Sequence, residues 1–532
     1  MNRIGHIIVC LAVTCSFIAC SSGWLDTEPT DQTGTPTVFE TTEMAKTAVN
    51  GLAKLMTIPF PYYVGDKLSS QDFNGEGAIK LIYGNWMGNH FVFTNRDAYA
   101  PLFKGTNYMG NVTSIYCYYP WWYYYMVIGN ANTIVVNIDA ATGPESEKQF
   151  IKAQALTFRS YCYMMLAQLY CNRWVDSNEG AASGVVLRLD TSTDEKGLCT
   201  MKELYKQIYD DLDEAIRCYT LSGLSRSKDN NYSPDLSVAY AVYARASLNR
   251  QDYATALSMA SKAREGYPLM DNKAYCAGFN EPTSEWIWSS YSSESESIGY
   301  FSYFSKMGYN TINTNYKTRA FCINRELFNQ FPKTDIRCSL FLDGDGDYIY
   351  NKTETASAGY APANSGLPAS LDLYKKAYEL HPEMPSDHYV FAYMQFKISS
   401  QDGVGRGYLN HFRSSEMLLI EAEANYFLNK PELAQKALIA LNKDSGRDAN
   451  YTCTLTGEEL WEEIKRYRAL ELWGEGFDWF DMKRWNEPIN RKTYPNGGNF
   501  TAQTAFITTV DENNRWTWSV PALETDYNGG IN

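Results

Sequence analysis

Apolar residues recur at three- and four-residue intervals along most of the chain, which predicts a succession of amphipathic helices. Residues 39–58 set Ala45, Ala48, Val49, Leu52, Leu55 and Met56 on one side. Residues 145–172 repeat the period with Ala153, Leu156, Tyr161, Met164, Met165, Ala167, Leu169 and Tyr170. Residues 200–221 do so with Leu204, Ile208, Leu212, Ala215 and Ile216. In 236–266, Ala239, Tyr243, Ala246 and Leu248 form one helix and Tyr253, Ala256, Leu257, Ala260 and Ala263 a second, joined by Asn249–Asp252. The pattern returns at 413–442: Leu418, Ile420, Ala422, Ala424 and Leu428, then Leu433, Ala437, Leu438 and Leu441, with Leu433 standing where the first copy has Tyr253.

Each of these two pairs resembles a tetratricopeptide repeat, two antiparallel helices packed through small and aromatic residues. Stacked pairs need neighbours to bury their faces, so the copies are predicted to meet in space despite their separation in sequence. What lies between, roughly 270–410, reads as a large insertion. It opens with Glu285-Trp286-Ile287-Trp288-Ser289-Ser290-Tyr291, then Tyr300-Phe301-Ser302-Tyr303, an alternation that suits a strand with its aromatics on one face. The rest is a Ser-, Gly- and Pro-rich loop region with no sign of a second core. The fold class is therefore mainly α: a helical repeat scaffold (about 39–58, 121–266 and 413–485) with a loop-rich insertion carrying short strands.

Two further stretches concentrate aromatic residues. Pro59–Pro120 contains Tyr83-Gly84-Asn85-Trp86-Met87-Gly88-Asn89 and later Asn107-Tyr108; it is too long for a bare connector and reads as a functional loop region. Tyr118–Tyr125, with Trp121 and Trp122, invites a binding-platform reading. Pro120 suits a helix start, however, and the run continues into Ile128, Ala131, Ile134 and Val135 at helical spacing, which favours a buried face.

Ile464–Trp485 is the stretch around which the chain is organised. Arg468, Glu471 and Glu475 share a helical face, and two carboxylates one turn apart call for a cation between them; Arg468 and Arg484 are the local candidates. Gly474 and Gly476 end this helix, and Asp478 is a plausible N-cap for the next, with Phe477 and Met482 as a hydrophobic staple. These charges read as a buried structural clamp rather than a ligand site. The block resembles the C-terminal signature of the SusD/RagB family of surface glycan-binding lipoproteins: Arg468-x-x-Glu471-Leu472-x-x-Glu475-Gly476, then Asp481-Met482-x-Arg484-Trp485. Asp478 departs from the pattern, which often has Arg there. Asn130 and Asn132, Thr334-Asp335-Ile336-Arg337, residues 413–425 and Val520-Pro521-x-x-Glu524 match further parts of the family pattern.

The resemblance implies a SusD-like fold over residues 20–532. It also implies a lipoprotein that captures oligosaccharide and passes it to a SusC-like TonB-dependent transporter; peptide capture, or a structural lid without its own ligand, are the alternatives. Because the family places ligand aromatics in the 83–89 region, Trp86 and Asn89 are the first candidates for glycan contact, followed by Tyr83, Trp288, Tyr291 and Tyr303. At the start of the chain, Arg3 and the apolar run Ile7–Ile18 read as a secretory signal (residues 1–19), too short to span a bilayer. Phe17-Ile18-Ala19-Cys20 resembles a degenerate lipobox with Cys20 lipidated, and Trp24-Leu25-Asp26 matches the family's mature start; an ordinary signal peptide cut nearby is the alternative. The expected location is the outer membrane, lipid-anchored and facing outward.

Composition narrows the chemistry. A formal net charge of −14 argues against nucleic acid, which needs a basic surface. Nine cysteines follow the leader, an odd number without a CxxC pair, and Cys162, Cys171 and Cys218 sit in apolar helical patterns, so neither zinc nor redox chemistry is inferred. Asp343, Asp345, Asp347 and Glu354 fit part of a calcium loop, but Tyr348 stands where the sharp turn needs Gly, so a solvated acidic turn is favoured over bound calcium. No HExxH, GxSxG or phosphate loop occurs, and Glu471 and Glu475 among arginines would stay ionised where a glycosidase acid needs a raised pKa. No catalytic role and no cofactor are expected.

Overall fold

The computed structural model describes residues 35–57, 73–94, 109–291, 302–313, 320–345 and 371–531, with two short strands at Tyr63–Val64 and Lys67–Leu68. Ten of its helices position the site: α1 (Thr42–Leu55), α2 (Ile115–Asn137), α3 (Glu145–Tyr170), α4 (Met201–Ser222), α5 (Leu236–Asn249), α6 (Tyr253–Ala263), α7 (Ser414–Phe427), α8 (Pro431–Ile439), α9 (Gly457–Glu471) and α10 (Asp478–Trp485). From α2 to α8 each helix packs on the next, and α9 closes the array on α7 and α8. The insertion leaves between α6 and α7, yet α6 lies along α7 with the Tyr253 and Phe427 rings stacked at 4.5 Å. The two helix pairs meet in space, as stacked repeats must.

Local chemistry sets the boundaries. Ser114, Asp235 and Asp252 accept backbone N–H groups at the starts of α2, α5 and α6, and Thr200 with Glu203 forms a reciprocal capping box on α4. The aromatic run of α2 is core: Tyr119, Trp121, Tyr123 and Tyr124 are buried. Pro120 lies within α2 rather than at its start, and the ring removes the amide that would bond the Tyr116 carbonyl. The Tyr83 hydroxyl donates to that carbonyl instead, at 2.7 Å. One residue on, the Tyr170 hydroxyl accepts from the Trp121 amide (3.0 Å) and donates to the Cys117 carbonyl (2.6 Å), inserting itself into the helical ladder. Two tyrosine hydroxyls thus repair the break that one proline makes.

Two antiparallel strand pairs tie the insertion to the scaffold: β1 (Phe91–Phe93), from the segment before α2, with β3 (Phe321–Ile323), and β2 (Trp286–Tyr291) with β4 (Tyr408–Arg413). Register slips in the second pair put Trp286 opposite Arg413 and Tyr291 opposite Tyr408. The expected one-sided strand is instead covered on both faces, since Trp286, Ile287 and Trp288 are all buried. Tyr303 opens a short helix, Tyr303–Met307, and does not prolong the strand. Among the described residues no helix is long and apolar enough to cross a membrane.

Candidate functional site

The site is framed by the charges of the C-terminal block. At the end of α9 the chain turns through Gly474 and Gly476, both with positive φ, and leaves carbonyls without helical partners. Cations and donors from elsewhere fill them: Lys397 Nζ donates to the Glu471 and Trp473 carbonyls, Lys80 Nζ to that of Glu475, and Asn85 and Tyr303 to that of Gly474. The cation between Glu471 and Glu475 is Arg413, from the end of β4. It donates to Glu475 (2.8 Å), Glu471 (2.7 Å) and Glu285 (2.6 Å) together. Arg337 and Arg447 complete the cluster on Glu471, and Arg337 also clamps Asp335. Arg468 and Arg484, the local candidates for that place, pair with Asp481 instead, and Arg484 reaches Glu423 as well.

Four cations (Arg337, Lys397, Arg413, Arg447) and four carboxylates (Glu285, Asp335, Glu471, Glu475) are thus buried together with no net charge. Burial works to raise the Glu471 carboxyl, and the guanidiniums of Arg447, Arg413 and Arg337 overcome it and hold it well below its usual range. Glu475 is lowered in the same way, against burial, by Arg413 and Lys397. Such carboxylates are fixed anions, unsuited to proton transfer at neutral pH.

The structure disperses the predicted glycan contacts. Tyr83, Trp86, Trp288 and Tyr303 are buried, so four of the proposed ledge residues belong to the core. Each is occupied structurally: Tyr83 repairs the α2 break, Trp86 packs on Phe93 and Phe321, Trp288 stands edge-on to Phe158 and Tyr161, and Tyr303 caps the Gly474 turn. Asn89 spends its amide on the Pro488 carbonyl and the Asn490 N–H. The close passage of this segment is enforced at Gly84, where a Cβ would sit 2.3 Å from the Gly476 carbonyl oxygen.

Tyr291 is the exception. It is half-buried and stacks on Tyr408, ring centroids 4.3 Å apart at 23°, at the end of the β2–β4 pair away from Arg413. The turn before Tyr408 is held by Asp402. Its carboxylate accepts the Val404, Gly405 and Arg406 amides and the Ser400 hydroxyl. Burial works to raise that carboxyl, and these donors hold it well below the usual range. Tyr232, exposed, and Glu281 lie close enough to push up the Tyr408 hydroxyl pKa, behind the larger effects of burial and Tyr291. A pair of parallel rings bordered by a carboxylate and the Gln401 amide is a surface on which a sugar's C–H face can stack and its hydroxyls find partners. On the other face of the strand pair a cavity of only about 40 Å³, lined by Ser290, Tyr303, Gly405 and Gly407, is too small for a sugar ring. Sequence reasoning missed Tyr408, which only the long-range register brings to Tyr291, and Tyr232, whose loop is tied to β2 through the Trp288 indole.

Two family models match the chain: the SusD family over residues 329–529, and a family described as "Starch-binding associating with outer membrane" over residues 88–248. Together these matches support a SusD-like family assignment. Solved structures agree on the SusD-like fold. A SusD-like carbohydrate-binding protein from Bacteroides vulgatus is 21% identical, with TM-score 0.71 over 93% of this chain and 98% of that one. A SusD superfamily protein from Bacteroides thetaiotaomicron is 20% identical (TM-score 0.68; 92% and 99% covered). Surface glycan-binding protein A from the same organism is 17% identical (TM-score 0.64; 93% and 98% covered). No curated protein matches the chain.

In this SusD-like chain the signature residues are framework. Asp478, where the family pattern often has Arg, is not an N-cap; Phe477 occupies that position. The Asp478 carboxylate accepts the His90 and Phe91 amides and meets His90 Nδ1 at 2.9 Å, fixing the turn into β1. Burial works to lower the His90 pKa, and the Asp478 charge outweighs it, so the folded value lies above the ordinary one. A raised pKa means stability that is fully present below the unfolded value near 6.5 and lost as pH rises through the folded value. His90→Gln is expected to remove that fall, which denaturant titrations from pH 6 to 8.5 measure. Asp343 and Asp345 each have a cation of their own, Lys333 and Arg325; Asp347 and Glu354 lie outside the described residues, as does Cys20.

Proposed function

We propose that this chain is a non-catalytic carbohydrate-binding protein associated with the outer membrane, which captures oligosaccharide and delivers it to a SusC-like TonB-dependent transporter. The observation that carries the reading is the pair of family matches, one of them to a starch-binding, outer-membrane-associated family, extending over most of the helical scaffold and the signature block. Relatives of the same fold are described as carbohydrate- or glycan-binding, which supports the ligand class. The anchor is Cys20, which would carry the acyl chains that hold the protein at the membrane.

The Tyr291–Tyr408 pair is the proposed sugar platform: flat, half-exposed, and set on a strand pair whose inner end is fixed by the Arg413 cluster. The signature carboxylates Glu471 and Glu475 are buried and held ionised, which favours binding over hydrolysis. Screening the soluble protein on glycan and peptide arrays tests the reading. Binding to neutral oligosaccharides is expected, and Tyr408→Ala should weaken it at least about tenfold, as loss of a stacked ring does, while costing about 0.5–1.5 kcal/mol of stability, the worth of the lost ring pair. Binding to peptides alone would overturn the ligand class, and binding to neither would overturn capture.

A further inference from the structure

A further cavity lies elsewhere, at one end of the helical array. It has a volume of about 360 Å³, at the lower end of ligand pockets, and opens where the C-termini of α3 and α7, the α5–α6 turn and the α9–α10 pair converge. Its walls are aromatic. Tyr253 and Phe427 stack at 4.5 Å, Phe427 meets the Trp461 ring edge at 5.0 Å, and Trp461 stands edge-on to Trp485 at 5.8 Å. Trp174 lines the opposite side against Tyr205. Phe427 is 44% exposed although it is a large apolar ring on a helix whose residues Ser414–Asn425 are all buried, so part of this wall faces solvent.

The polar groups define what could fill the cavity. Its charged side chains already have partners: Arg173 grips Asp176 with two bonds, Arg484 grips Glu423, and Lys483 donates to the Gln168 and Cys171 carbonyls at the end of α3. The ring faces have cations of their own, Arg250 over Trp174, Lys465 over Trp461 and Arg484 over Trp485, so a cationic ligand would meet like charge. Two donors are left over: Asn249 Nδ2 and Trp485 Nε1 are buried and have no hydrogen-bond partner among the described residues. A pocket with ring walls, charged groups already hydrogen-bonded and spare N–H donors beside it suits a neutral ligand that has apolar faces and acceptor oxygens.

We propose that this cleft is a second carbohydrate site, separate from the Tyr291–Tyr408 platform, that takes a neutral mono- or disaccharide-sized unit along the solvent-facing Phe427 ring, beside the Asn249 and Trp485 N–H groups. It rests on the reading of the protein as a carbohydrate binder but makes its own claim. The residues come from both helix pairs, so the cleft exists only because the repeats on either side of the insertion stack. The scaffold that the fold needs for stability thereby also builds a binding surface.

The test uses full-length protein labelled with 5-fluorotryptophan, its ¹⁹F signals assigned by single Trp→Phe changes, and titrated with maltose, cellobiose, lactose, mannobiose and xylobiose. At least one disaccharide is expected to shift the Trp174, Trp461 and Trp485 signals together, and Asn249→Ala should weaken that effect about tenfold, one hydrogen bond's worth. Asn249→Ala removes a donor without a partner, so the variant should fold; Phe427→Ala, at an exposed wall, gives an independent check with the same expectation. Calorimetric binding of a disaccharide that leaves these three signals unmoved overturns the cleft while sparing the glycan reading. No binding of any of the five sugars overturns both. Shifts produced only by peptides would assign the cleft to a protein partner and likewise overturn the proposal.

Discussion

Arg413→Ala is expected to cost at least about 3–5 kcal/mol, the scale for uncovering buried charge, out of the roughly 5–15 kcal/mol that holds a domain together. Arg413 donates five hydrogen bonds, to Glu285, to the side chain and carbonyl of Glu471, and to both oxygens of Glu475. Its loss leaves four carboxylates with three cations in a region closed to water. A lysine should restore little, because a point charge cannot reach three carboxylates at the angles a guanidinium fork provides. Adding Glu475→Gln to Arg413→Ala should recover about 1–3 kcal/mol, as expected for partners in one network. Urea denaturation of the three variants measures this, and an Arg413→Ala loss below about 1 kcal/mol would mean that the cluster is not buried as a unit.

Trp86→Ala is the second large effect. The sequence pattern places Trp86 on a ligand ledge, where truncation would abolish binding and spare stability. Its burial reverses that expectation: the indole packs on Phe93 and Phe321 across the β1–β3 pair, and its carbonyl is held by Arg491. Removing it should cost about 3–5 kcal/mol through the cavity left behind, while molecules that remain folded bind sugar as before. Thermal melts read beside calorimetry of the folded protein separate the two outcomes.

Helices were legible because each one's period is local. The stretches read at 145–172, 200–221 and 236–266 match α3 to α6 closely, and the pairing of the two repeats followed from their shared pattern of small and aromatic residues. The clamp was legible as a need for a cation beside Glu471 and Glu475, but not as Arg413, because that arginine arrives from the far end of an insertion strand. Arg337 and Arg413 do stand inside sequence blocks matched to the family pattern, which was the available signal. The aromatic site was misplaced for a related reason. In this chain a ring flanked by glycines looks the same whether those glycines free a loop or, as at Gly84, let two backbones pass within a bond's reach. Tyr291 could be singled out from sequence; that Tyr408 completes it depends on strand register, which no local pattern encodes.

Where a sugar touches the protein is the central claim, and a paired titration decides it. Calorimetry of one array-positive oligosaccharide should give wild-type affinity for Trp86→Phe, which keeps the core filled, and a loss of at least about tenfold for Tyr291→Ala. Undiminished binding by Tyr291→Ala together with loss in Trp86→Phe would contradict that claim and return the ligand to the segment that the structure buries.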